Sequence, residues 1–395
     1  RGEFVAPPVG RVVYGPGCVA QRLAYEVDAL GAKRVLVVTG QTVATRTSLV
    51  ERVLHALGER AVGVFSGSRQ HTPRSAVLAG ARMARELRAD LLLGLGGSSA
   101  VDCAKGVAMV LAEGEDFDAF KVRPLPDGTT LVPPLPHPKL PHIAVPTTLS
   151  GGEFTATAGI TDDATRVKEL YTHPTLAPRT VLHDPELTLE TPPWLWASTA
   201  IKALDHAIER GYSRASQPYN DALCLHAIRL IFRHLPASLA HPDDLASRGM
   251  LQQAAFLAEA GPSASCLSHA IAHQLGARCD VPHGVASCIT QPAVMEFNRE
   301  HSLEQQALMA QAMGVAEGFV GARRAAEAAA RAVGELVHSL ATFGVEVPTR
   351  LRDAGVREED LAPIARAAVE ERGVRVNPRP VRSPEEVLEL LRRMW

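Results

Sequence analysis

The stretch Leu91-Leu-Leu-Gly-Leu-Gly-Gly-Ser-Ser-Ala-Val-Asp-Cys-Ala-Lys105 decides the fold. It opens on a continuous apolar run, turns through glycines and continues into residues of helical character. A strand without polar alternation is buried on both faces, as in a parallel sheet covered by helices. Gly94, Gly96 and Gly97 let the backbone approach a ligand closely. Ser98 or Ser99 can cap the helix that follows, whose free N–H groups and dipole favour a phosphate. The spacing is not G-x-G-x-x-G, so a tight turn without a ligand stays open as a reading of this stretch alone.

Upstream, the same alternation repeats. Val12–Tyr14 reads as a strand, Val19–Leu30 as a helix, and residues 34–39 as a buried strand ending at Gly40. Val43–Leu57 is helical in period, Ala61–Phe65 strand-like, and Pro73–Arg88 helical again. This repeat predicts an open α/β domain. Downstream, Pro124–Pro141 is too rich in proline for a helix or a central strand and reads as a surface excursion. The sheet resumes at His142–Val145, followed by Val145-Pro-Thr-Thr-Leu-Ser-Gly-Gly-Glu-Phe154. That second loop offers the hydroxyls of Thr147, Thr148 and Ser150. Two polar, glycine-bearing loops at strand ends suit a dinucleotide better than a single phosphate. A last short strand is expected at Val181–His183.

From Pro192 onward strand signals almost vanish. Trp194–Arg210, Asn220–Leu235, Leu245–Ala260, Ser265–Ala277, Glu304–Met313 and Arg323–Phe343 all have helical character. The expected organisation is an α/β dinucleotide-binding domain over 1–190 and an all-α domain over 191–395, with the cleft between them as the default place for a site. The helical half contains CLSHAIAHQLGARCDVPHGVASC, Cys266 to Cys288. His269 and His273 are spaced i,i+4 and share one helix face. His283 follows where Val281-Pro282 stops the helix and Gly284 permits a turn. His206, in Ile201–Glu209, lies on another apolar-faced helix. Any one of these histidines alone is better read as a surface or core residue. As a converging group they read as a metal or acid–base site.

The 395 residues carry a formal net charge of −2, which gives no electrostatic case for nucleic acid or an anionic membrane. No apolar run is long enough for a transmembrane helix. Six scattered cysteines without a C-x-x-C pair read as reduced thiols of a cytoplasmic protein. The Arg/Glu-rich pieces near Arg82–Arg88 and Glu370–Arg375 read as solvated surface. No secretory leader is legible, and Arg1-Gly-Glu-Phe4 precedes the first recognisable element.

Taken in order, GGSSAVDCAK, VPTTLSGGEFT with its ITD, ALDHAIE and SHAIAHQLGARCDVPHG resemble the iron-containing alcohol dehydrogenase family, of the dehydroquinate synthase-like fold. The short PTTLSGGEFT loop and Asn377-Pro-Arg-Pro-Val381 are similar to its maleylacetate reductases. Those enzymes use NADH or NADPH to reduce maleylacetate to 3-oxoadipate. The resemblance implies that Gly96, Gly97 and Ser98 hold the pyrophosphate, on the side where the second strand ends at Gly40. Thr147 and Thr148 would line the adenosine and nicotinamide side, with Lys168 near the cofactor. His273 would stand by the nicotinamide and relay a proton. His206, His269 and His283 fall on the family's metal-ligand positions. A homodimer is the family's implied assembly.

One departure carries weight. Metal-dependent members place an aspartate four residues before the first ligand histidine, and that position here is Lys202. Residues i and i+4 face the same way, so an ammonium would enter the metal pocket, repel Fe²⁺ or Zn²⁺ and remove the anionic ligand. Asp205 lies roughly 100° round the helix from His206 and is a poor substitute. The expectation is a metal-free site in which Lys202 stabilises a developing enolate or alkoxide, or holds a substrate carboxylate. A snorkelling Lys202 that only reaches water is the bland alternative. His269, Pro282-His-Gly284 and Asp102 are closer to the metal-using branch. Thr39-Gly40-Gln41 lacks the acid that many NAD-specific relatives carry there, which leaves NADPH admissible, with Arg46 nearby.

The leading reading is thus a metal-independent, NAD(P)H-dependent reductase of the maleylacetate reductase type, transferring hydride to a small oxo acid or diacid, with an aldehyde as the other substrate admitted. Beside it stand a metal-dependent alcohol dehydrogenase, a dehydroquinate synthase-like lyase or cyclase, and a nucleotide binder that has lost catalysis.

Overall fold

The structure, a computed structural model, describes residues 8–125, 129–165, 167–262, 264–316 and 321–395. Arg1-Gly-Glu-Phe4 and residues 126–128 of the proline-dense interval lie outside the described residues. The chain divides into two compact units, one closing at Glu190 and the other running from Thr191 to Trp395.

The first unit begins β1 (Arg11–Tyr14), α1 (Cys18–Ala29), β2 (Val35–Gly40), α2 (Gln41–Arg46), α3 (Leu49–Leu57), β3 (Ala61–Ser68) and α4 (Arg74–Glu86). It continues with β4 (Leu91–Gly96), α5 (Ser98–Glu113), α6 (Phe117–Phe120), β5 (Arg123–Pro124), β6 (Thr130–Leu131), β7 (His142–Pro146), β8 (Thr157–Thr161), β9 (Lys168–Thr172) and β10 (Thr180–His183). Six strands form one parallel sheet in the order β1-β10-β7-β4-β2-β3. Alternate strand residues face opposite sides, and both sides are apolar. Leu36, Val38 and Leu92 pack with Val77, Ala81 and Val107 of α4 and α5. Val35, Val37, Leu91 and Leu93 pack with Leu23, Val27, Val53 and Leu57 of α1 and α3. This is the two-sided burial that the unbroken Leu91–Leu93 run requires.

The chain goes from β2 out to the edge strand β3, passes back to β4, and then proceeds through β7 and β10. The strand order therefore reverses between β2 and β4, and the crevice at the carboxyl ends there is where open α/β sheets bind ligands. Two local expectations differ from the structure. The single helix read over Val43–Leu57 is broken into α2 and α3. Thr47 Oγ1 donates to the Val43 carbonyl and accepts from Leu49 N, so a side chain takes over backbone bonds and interrupts the helix. Neither Ser98 nor Ser99 caps α5; Gly97 is the N-cap, with no side-chain bond. The hairpin of β8 and β9 had no separate sequence signal.

The second unit is helical: α7 (Pro193–Tyr212), α8 (Pro218–Ala240), α9 (Leu245–Ala260), α10 (Leu267–Cys279), α11 (His283–Asn298), α12 (Leu303–Met313), α13 (Ala322–Ser339), α14 (Glu358–Val369) and α15 (Pro384–Met394). Leu267, Ile271, Leu275, Val285 and Ile289 of α10 and α11 share a core with Leu361, Ile364, Val387 and Leu391 of α14 and α15. Gly284 is not in a turn. It lies in the first turn of α11, where a Cβ would fall 2.6 Å from the Ser198 carbonyl oxygen of α7. The glycine serves close helix packing rather than chain reversal. Among the described residues no helix is long and apolar enough to cross a membrane. All six cysteines are free thiols.

His142, at the start of β7, is buried with neither ring nitrogen hydrogen-bonded among the described residues. Burial, then the Lys105 charge, lowers its pKa from 6.5 to about 3. The unfolded chain therefore binds a proton near pH 6.5 that the folded chain refuses until about pH 3. Stability is full above pH 6.5 and is lost as the pH falls toward 3. Urea unfolding of wild type and His142→Leu across pH 7 to 4 should show the wild type losing about 1.4 kcal/mol per pH unit relative to the variant. A pH-independent difference between the two would refute the assignment.

Candidate active site

At the reversal of strand order, the ends of β2, β3 and β4 surround a cavity of about 340 Å³ lined by Gly40, Gln41, Ser68, Arg69, Gly96 and Gly97, among others. Gly96 has a φ of 131°, a conformation open to glycine. A Cβ on Gly97 would lie 3.3 Å from Thr148 Oγ1, and one on Gly94 would lie 3.0 Å from His142 Nε2. A backbone cradle bare of Cβ atoms, opening onto an uncapped helix start, fits the pyrophosphate of a dinucleotide. Thr147 N donates to the Gly96 carbonyl, which ties the second loop to the first. Thr148 Oγ1 and Ser150 Oγ share a hydrogen bond of 2.9 Å.

Ser98, Asp102 and Lys168 are not among the lining residues. Ser98 Oγ abuts Gly152, where a Cβ would meet it at 2.7 Å. Asp102 accepts from Gly159 N and pairs with Lys105 at 3.4 Å, and the Lys168 side chain crosses over Gly159. Lys105, wholly buried, donates to the carbonyls of Gly152 at 2.6 Å and Thr157 at 2.8 Å. The DCAK end of the nucleotide helix therefore holds the second loop in place.

In the helical unit, the four histidines come together. Ring centroids of His269 lie 4.6 Å from His206, 4.5 Å from His273 and 4.5 Å from His283. His283 Nε2 and His269 Nδ1 are 3.2 Å apart and share a proton. Ligand nitrogens of His206, His269 and His283 all lie within 4.8 Å of one another. Burial lowers the His206 pKa to about 4, with Lys202 adding to the effect and Glu259 opposing it. Burial also pushes His269 far down, aided by the charges of its three histidine neighbours and Lys202. Both imidazoles are neutral at physiological pH.

Carboxylates that sequence reasoning passed over set this geometry. Glu259, on α9, holds His206 Nδ1 with one oxygen and Arg210 at 2.6 Å with the other. Against its own burial, Arg210 and His206 keep Glu259 ionised, well below the usual carboxylate range. Glu209 accepts from the backbone N–H groups of Cys266 at 2.7 Å, Ser268 at 2.8 Å and His269 at 3.0 Å. Asp205 accepts from Ser287 Oγ at 2.8 Å. Burial raises both Asp205 and Glu209, which stack one helical turn apart. Glu371 lies 3.5 Å from His273 Nδ1 and accepts from Gln274 Nε2 at 3.0 Å. The Glu370–Arg375 run, expected as solvated surface, thus delivers a carboxylate to the histidine cluster. Glu209 closes the Ile201–Glu209 segment that the sequence singled out for His206, whereas Glu259 lies in a stretch read only as helix and Glu371 in one read as solvated surface.

His206 Nε2 is buried with no hydrogen-bond partner among the described residues, and its other nitrogen is fixed by a carboxylate. A neutral histidine oriented in this way, beside two more, supplies three donors that fit a divalent cation. The side chain one turn before His206 is the Lys202 ammonium, which is no donor.

The family model described as iron-containing alcohol dehydrogenase matches residues 8–185, and the model for the C-terminal part of the Fe-containing alcohol dehydrogenase family matches 196–395. An NAD-dependent methanol dehydrogenase of Bacillus methanolicus is 30% identical over 395 residues, covering 99% of each chain. Maleylacetate reductase 2 of Cupriavidus pinatubonensis is 32% identical over 333 residues, 83% of each chain. The crystal structure of a 1,3-propanediol oxidoreductase matches with a TM-score of 0.90 at 29% identity, covering all of both chains.

Replacing Glu259 by Ala leaves the buried His206 and the half-buried Arg210 without their shared partner. The expected cost is about 3–5 kcal/mol in the free energy of unfolding, measured by urea titration. A loss under about 1 kcal/mol would mean that the pair contributes as little as a surface ion pair.

Proposed function

The chain belongs to the iron-containing alcohol dehydrogenase family and is an NAD(P)-dependent oxidoreductase, and on that premise we propose that it reduces a small oxo acid, in the manner of a maleylacetate reductase, without a metal ion. The observation that carries this reading is Lys202. It stands one turn before His206 on α7 and is half-buried, which supports a fixed cation beside the histidine cluster.

When bound, the nicotinamide dinucleotide supplies the hydride. Hydride addition to a conjugated or simple carbonyl places negative charge on the substrate oxygen, as enolate or alkoxide. The Lys202 ammonium stabilises that charge. His273, held at Nδ1 by Glu371, presents Nε2 as the atom that gives up a proton. The hydrogen bond from Gln274 keeps Glu371 in place beside that ring. Lys202 also favours a substrate that carries a carboxylate over a simple alcohol.

A second reading, a metal-dependent alcohol dehydrogenase, draws support from the orphaned His206 Nε2. In that case His206, His269 and His283 would hold the ion, which would polarise the substrate oxygen.

The two readings separate in one assay. NADH and NADPH absorbance is followed with maleylacetate, with and without a strong chelator, beside metal analysis of the same preparation. The proposal expects chelator-insensitive oxidation, and Lys202→Asp should lower kcat/KM by about a hundredfold or more. Stoichiometric metal, with activity lost to chelator and restored by Fe²⁺ or Zn²⁺, would sink it in favour of the second reading.

A further inference from the structure

The cavity at the strand ends has a wall that the sequence did not single out, the loop Ser68-Arg-Gln-His-Thr72. His71 and Thr72 both have positive φ, at 60° and 50°. For a β-branched residue this conformation is strained and persists only where the surroundings impose it. They do so here. Ser68 Oγ and Thr72 Oγ1 both donate to the Ser99 carbonyl in the first turn of α5, at 3.0 and 3.2 Å. Thr161 clamps the far side, donating from its N–H to Thr72 O and from its hydroxyl to His71 O. The loop is therefore locked to the start of the glycine-capped helix.

That lock presents Arg69 to the cavity. Among the described residues, Arg69 is the one charged side chain lining the cavity, and no carboxylate lines it. Ser75 Oγ accepts from the guanidinium at 2.7 Å and donates onward to Asp163, which steadies the side chain from behind. Opposite it, β2 ends in Gly40, and Gln41 accepts from Ser66 Oγ at 3.3 Å. In dinucleotide sites at a reversal of strand order, a carboxylate near the second strand end binds a ribose 2′-hydroxyl, whereas an arginine accommodates a 2′-phosphate. A guanidinium fork matches a phosphate monoester in charge and in geometry.

We propose that Arg69 reads the adenosine 2′-phosphate and makes this chain selective for NADPH over NADH. This rests on the reading of the cavity as the adenosine end of a dinucleotide site, and it replaces Arg46, which does not line the cavity, as the cation concerned.

Calorimetric binding of adenosine 2′,5′-bisphosphate and adenosine 5′-monophosphate isolates the one phosphate, and nucleotide fluorescence gives the affinities of NADPH and NADH. The bisphosphate and NADPH should each bind about tenfold or more tightly than the partner compound. Arg69→Gln should close most of both gaps, while Arg69→Lys keeps the charge, loses the fork and retains part of the preference. Thermal melts of both variants verify folding, which an exposed site tolerates. Equal affinity for NADPH and NADH in the wild type, or an Arg69→Gln variant that weakens both alike, overturns the proposal alone. Binding of neither dinucleotide overturns it together with the reading beneath it.

Discussion

The carboxylate of Glu209 is the constraint on which the histidine cluster depends. It projects from α7 one turn after Asp205, is fully buried, and receives three backbone N–H groups at the start of α10. Helix starts leave such donors unsatisfied, and Cys266 supplies no side-chain cap. An acid on another helix fills the role, where the helix dipole also favours its charge. Because one of the three donors is His269 N itself, the bond that caps α10 also sets His269 against His206. Gly284 repeats the logic on α11, where only a hydrogen lets that helix, and with it His283, settle against Ser198.

Electrostatics then decide what the cluster can do. Four imidazoles within a few ångströms cannot all carry protons, and burial together with Lys202 keeps His206 and His269 neutral. The counter-charges are placed outward: Glu259 behind His206, Glu371 behind His273. Each carboxylate binds one ring nitrogen and so directs the other. The free lone pair of His206 suits a cation, and in the proposed reading it is the Lys202 ammonium that meets negative charge developing on a substrate oxygen.

The nucleotide unit uses a buried charge differently. Lys105 is fully buried and is not among the residues lining the cavity; its ammonium donates to the Gly152 and Thr157 carbonyls and to Thr155 Oγ1. Two loops distant in sequence are thereby held as one surface. The strained His71 and Thr72 close the same surface from the β3 side.

By itself the sequence determined the class of each half and the identity of the histidine cluster. Unalternated apolar strands such as Leu91–Leu93 demand a sheet covered on both faces, and the i,i+4 spacing of His269 and His273 holds on any helix. These are local periodicities, so they are legible without a fold. Tertiary structure decided the rest. The carboxylates Glu259 and Glu371, the guanidinium Arg69 and the close approach at Gly284 act across long separations in the chain, and no local pattern distinguishes them from ordinary surface or helix residues. Residues 370–375 show why. A run of charges predicts solvation when its neighbours are unknown, and only the packing beside α10 turns one of those charges toward His273.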